Sequence, residues 1–145
     1  TIIRLEQLYR ERVGVESRFA NTDQLRGERD VSWARSPSFF DNIKQLAEDR
    51  VDYLLVDKAM LDEMNLLLKS VGEKPIYVSK VALMKVDVSL AMRSDYAKTA
   101  AVLKDFNQGI EALKANGQYA ELMKNDMNRE SLLDSRIYTD MLRKW

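Results

Sequence analysis

Val51-Asp52-Tyr53-Leu54-Leu55-Val56-Asp57 is the stretch on which the fold turns. Its apolar run is nearly continuous instead of alternating, which is the pattern of a strand covered on both faces in a parallel sheet. Upstream, Pro37 and Ser38 mark the start of a helix in which Phe40, Ile43, Leu46 and Ala47 recur at helical spacing. Downstream, Leu61, Met64, Leu67 or Leu68, and Val71 line one helical face that Gly72 stops. Helix, buried strand and helix in succession are the repeating element of an α/β fold.

The flanking chain continues the alternation. Leu5, Leu8 and Tyr9 suggest a brief helix, and Arg12-Val13-Gly14-Val15 a short strand. Asn21 or Thr22 is positioned to cap a helix that runs through Leu25 and stops near Gly27. Val31-Ser32-Trp33-Ala34 alternates as a strand with one buried face. Further on, Ile76-Tyr77-Val78 and Val86–Met92 change to period two and predict two more strands. A long helix follows, capped by Ser94 or Asp95, with Leu103, Phe106, Ile110 and Leu113 as its stripe and Asn116-Gly117 as its end. Tyr119, Leu122 and Met123 mark a short helix, and Ile137, Met141, Leu142 and Trp145 a last amphipathic one. The expected fold class is α/β with a mainly parallel sheet flanked by helices.

Composition removes several kinds of chemistry. With 23 basic and 23 acidic residues among 145, the net charge is zero, so no broad field draws nucleic acid or an anionic membrane. The absence of Cys and His removes disulfides, thiolate nucleophiles, Cys/His zinc sites and imidazole acid–base catalysis. No apolar run approaches the ~18 residues that span a bilayer. Thr1-Ile2-Ile3-Arg4-Leu5-Glu6 has neither the basic n-region nor the apolar h-region of a signal peptide, and it reads as a processed or truncated start. Nucleophile-elbow, Walker A, G-x-G-x-x-G and H-E-x-x-H motifs are missing. Glu121, Asp126 and Glu130 read as a solvated surface. The expectation is therefore no catalytic residue, no metal and no cofactor.

Binding residues are sought where strands run out, because ligands of open α/β sheets lie beyond the carboxyl ends of the strands. Asp57 stands there and can accept hydrogen bonds from a ligand ammonium, or it can simply cap the helix that begins near Lys58. The loop from Glu16 to Thr22 follows a strand and leads into a helix start, where free N–H groups favour an anion. Within it Ser17, Arg18, Asn21 and Thr22 are the candidates. Arg18 is either a bidentate grip on a carboxylate or a surface arginine. Ser36 and Ser38 line the same crevice or act as caps. Trp33 and Tyr53 read as core residues.

Three segments resemble the family-3 bacterial extracellular solute-binding proteins, the polar amino-acid-binding components of ABC transporters. They are Leu5-Glu6-Gln7-Leu8 with Arg12-Val13-Gly14-Val15, then Gln45 through Asp57, then Phe106 through Tyr119 with its glycine break and following aromatic. The matching segments fall in the same order across most of residues 5–125. Two positions depart from the family pattern. Arg18-Phe19 stands where a Gly-Ser/Thr pair is usual, and Asp49 where a glycine precedes the Arg-Val-Asp run.

The resemblance implies a type II periplasmic-binding-protein-like clamshell. Residues 1–84 would form its second lobe. Residues 85–145 would supply the return strand and the helices that pack on a first lobe, whose N-terminal part has no counterpart in the chain. It further implies an amino-acid-like ligand, with Asp57 on its ammonium and the Ser17–Thr22 turn facing its carboxylate. The other partner would be an ABC permease in the membrane, and the location periplasmic or extracellular. A ligand-sensing module of a signalling receptor and a dehydratase-like enzyme are the alternatives on the same fold.

Overall fold

The computed structural model describes residues 2–124, 126 and 128–145. The chain divides into two compact units, Thr1–Leu83 with Met127–Trp145 and Met84–Asp126. In the first, a 3-10 turn (Leu5–Leu8) precedes β1 (Arg12–Glu16), α1 (Ser17–Ala20), α2 (Asp23–Arg26), β2 (Ser32–Ser36), α3 (Phe39–Ala47), β3 (Tyr53–Leu55) and α4 (Lys58–Ser70). The second unit holds α5 (Thr99–Ala115) and α6 (Gln118–Leu122), and α7 (Ser135–Leu142) returns to the first.

The three strands form one parallel sheet in the order β2-β1-β3. Val13 lies opposite Trp33 and Tyr53, and Val15 opposite Arg35 and Leu55. As the central strand, β1 is the most enclosed, and Val13 and Val15 are fully buried. Gly14 between them has a packing reason. A Cβ there would stand 2.7 Å from Leu54 Cδ2 and 3.5 Å from Asn42 Oδ1, so the missing side chain makes room between β1, β3 and α3.

The strand expected to be covered on both faces is shorter and more open than its sequence suggests. β3 is an edge strand of the sheet, and Tyr53, expected in the core, is exposed. Asp52 is diverted from the ladder. Its carboxylate grips the Arg12 guanidinium at 2.7 Å while its N–H donates to the Arg12 carbonyl.

Ser38 caps α3 by accepting from the Asp41 N–H, and α4 ends at Val71 with Gly72 at φ +79°. Phe39, Ile43, Met64, Leu67 and Leu68 from these two helices make a core with Tyr138 and Met141 of α7. The inward residue of α7 is Tyr138, not Ile137, which is exposed. Its ring meets Phe40 edge-on at 5.3 Å. α7 packs on α3, and Lys144 reaches Glu48 at 2.5 Å just beyond it.

Neither of the two later strands forms. The main-chain groups of Ile76 are taken by the side chain of Asn65, which accepts from its N–H at 2.8 Å and donates to its carbonyl at 3.1 Å. Residues 86–92 keep their alternation but pair with no strand among the described residues, and Val88 is fully in solvent. α5 begins at Thr99 and not beside Asp95, whose carboxylate is held by Arg93. It does end at Asn116, with Gly117 at φ +79°. No described residue of the Met84–Asp126 unit is buried, and the stripe of α5 is half-buried at best.

Candidate functional site

A parallel sheet sends all of its strands out at one edge, so the helices that follow begin together there. β1 is followed directly by Ser17, β2 by Pro37 and Ser38, and β3 by Val56 and Asp57. The order β2-β1-β3 places a switch point between β1 and β3, because the connection leaving β1 leads to one side of it and β3 lies on the other. The β1–β3 ladder closes with Val15 opposite Leu55, so Glu16-Ser17 and Val56-Asp57 leave the sheet from adjacent strands.

The polar residues at this edge are linked to one another. Ser17 Oγ donates to the Ser36 carbonyl at 3.1 Å. Ser36 Oγ contacts Asn42 Oδ1 in a very short hydrogen bond and lies 3.3 Å from the Ser38 carbonyl. Ser38 receives the Asp41 N–H at 3.2 Å and donates to the Asp41 carboxylate. Ser17, Ser36 and Ser38 are thus brought into one network, of which Ser36 and Asn42 form the buried floor.

Asp57 settles one of the two expectations directly: it caps α4. Oδ1 accepts from Ala59 N at 2.7 Å and from Met60 N at 3.4 Å. The residue is nonetheless exposed at the mouth of the switch point. Arg18 is partly committed. Its Nε donates to Glu16 at 3.0 Å, and its guanidinium carbon stands 4.4 Å from the centroid of the Phe19 ring.

The loop expected from Glu16 to Thr22 is in fact the single turn of α1 followed by a junction. Asn21 closes α1 on the exposed side, and Thr22 Oγ1 donates back to the Phe19 carbonyl at 2.8 Å. Thr22 occupies the capping position of α2, with no side-chain bond to that helix.

Two residues of this edge escaped the sequence reading. Glu16 is buried, with Arg18 covering its carboxylate. Asn42 is fully buried, and its Nδ2 finds no acceptor. Period two along β1 would have found Glu16, which lies on the same strand face as Gly14. Nothing in the chain singles out Asn42 from any other polar residue in a helical first turn.

The arrangement offers hydroxyls, a guanidinium and a carboxylate at one rim, enough to orient a small polar molecule through charge-assisted and neutral hydrogen bonds. Among the described residues no group of three or more acidic side chains is placed to hold a metal ion, and no helix is long and apolar enough to cross a membrane. A separate shallow depression of about 380 Å³ lies between the far end of α4 and α7. It is walled by Val71, Glu73, Arg136 and Arg143 and takes no part in this edge. No family model, no curated protein and no solved structure matches the chain.

Proposed function

We propose that the carboxyl edge of the sheet binds a small polar solute of the amino-acid type, as one jaw of a periplasmic-binding-protein-like receptor serving ABC-type uptake. The observation that carries this reading is the switch point between β1 and β3, where Ser17 and Arg18 leave one strand and Asp57 the next. An ammonium would approach Asp57 on its exposed side while Oδ1 keeps capping α4. The carboxylate of the same solute would approach Ser17 and Arg18, with Asn21 and Thr22 at the margin. Ser36 and Ser38 would act from beneath, holding Ser17 in place through the network they share.

In this reading the chain makes and breaks no covalent bond. Closure of a second jaw excludes water and lets a few polar contacts suffice. Its setting would be periplasmic or extracellular, with a membrane permease as the protein partner.

Titration calorimetry against a panel of polar amino acids and related amines and acids tests the reading. A saturable signal is expected for at least one zwitterion, weakened at least ~tenfold by Asp57→Asn, which keeps an oxygen for the cap but removes the charge. Uniformly flat heats across the panel would remove the reading.

A further inference from the structure

We propose that residues 86–92 pair with the same residues of a second copy of this chain, as an antiparallel two-stranded ribbon whose twofold axis passes through Leu90. The segment has the make-up of a strand and lacks a partner. Residues 84–93 run without helix, turn or bend. Among the described residues, no N–H or carbonyl of residues 85–92 has a hydrogen-bond partner. A row of open main-chain groups is the template on which another chain adds a strand.

The sequence sorts its side chains between two faces. Val86, Val88, Leu90 and Met92 alternate with Lys85, Asp87, Ser89, Ala91 and Arg93. Val86, Val88 and Leu90 are between 46% and 93% exposed, so the chain itself leaves the apolar face open.

Charge decides both the partner and the register. Residues directly opposite in an antiparallel pair share a face, where unlike charges stabilise and like charges repel. With the axis through Leu90, Asp87 faces Arg93 of the second copy and Lys85 faces Asp95, at both ends of the ribbon by symmetry. On the apolar side Leu90 meets its own copy and Val88 meets Met92. Moving the axis to Ser89 sets Lys85 against Arg93, and moving it to Ala91 sets Asp87 against Asp95. An axis through Val88 or Met92 forms no charged pair, and one between two residues sets apolar side chains against charged ones. Arg93 Nε already donates to its own Asp95 at 3.0 Å, which anchors the guanidinium at the strand end where Asp87 of the second copy would arrive. A ribbon of this length buries little area, so the dimer is weak, with a dissociation constant on the order of 100 µM.

The test uses the whole chain without any solute, so its outcome stands apart from the solute-binding reading. Sedimentation equilibrium up to millimolar concentration should show monomer and dimer in exchange. Asp87→Arg is expected to weaken the dimer about tenfold, and combining it with Arg93→Asp, which exchanges the charges, to restore it to within about threefold of wild type. The chain has no Cys, so Leu90→Cys or Val86→Cys supplies a single thiol. Mild oxidation should cross-link L90C chains through the axis and spare V86C chains, whose thiols would stand at opposite ends of the ribbon. A wild-type chain that stays monomeric throughout overturns the proposal. A dimer that D87R leaves intact also overturns it, as does a charge exchange that restores nothing or cross-linking of L90C no faster than that of V86C.

Discussion

Asp49 joins α3 to β3 with φ +53°, in the left-handed region that penalises every residue with a Cβ. Its carbonyl accepts from Arg12 Nη1 at 3.1 Å, which holds the turn against the start of β1. Asp49→Gly removes the Cβ penalty but adds freedom to the unfolded chain, and the balance is a gain of about 0.5–1 kcal/mol. Denaturant unfolding with an unchanged slope reads that gain, and a loss of stability contradicts it.

Asp134 gives a second single-residue outcome. Hydrogen bonds from the Arg136 side chain and then from its backbone N–H pull the carboxyl down to about 2. A depressed folded value means that its stabilisation of α7 is complete above the ordinary Asp range and disappears as the pH falls through about 2. An NMR titration of the Asp134 carboxyl should find its midpoint there, and Arg136→Ala should return it toward the ordinary range. A wild-type midpoint near 4 contradicts the assignment.

At this scale the sequence spoke unevenly. Gly72 and Gly117 announced their helix ends, whereas the burial of Asn42 depends on which helix lies over which strand.

Among the elements, periodicity located most helices, yet it did not tell which stripes would be used. α4 and α5 carry comparable apolar faces. Met64 of α4 is fully buried against α3 and α7, while Leu103 of α5 is only half-covered. Met64→Ala should therefore cost about 2–5 kcal/mol, and Leu103→Ala less than about 1.5 kcal/mol. Equal costs measured by denaturant unfolding would contradict that ranking.

Strands were legible where partners exist. β1 and β2 appear close to their expected bounds because each has a parallel neighbour. Residues 86–92 share the alternation but not the neighbour, and alternation alone makes no ladder. Ile76 was lost for a different reason. A single Asn65 side chain satisfied both of its backbone groups, a competition invisible to any hydrophobic pattern.

For the molecule as a whole, a parallel α/β sheet was readable from the order of apolar runs, because continuous runs flanked by helical stripes have few other solutions. The last helix was readable in part: the expected stripe held Met141, Leu142 and Trp145, which meet the core, but had Ile137 where Tyr138 turns inward. A helix of this length offers more than one apolar arc, and only a partner surface selects among them.

The site shows the same split between edge and detail. Strand ends pointed to Ser17, Ser36, Ser38 and Asp57, while the network that joins the serines came only with the packing of α3 over β1.

The direct test of the solute-binding reading is an ¹⁵N–¹H NMR titration of the chain with zwitterionic amino acids up to millimolar concentration. Saturable shifts should gather at residues 16–22 and 56–60, on either side of the β1–β3 switch point. Shifts confined to the α4–α7 depression, or none at all, would contradict it.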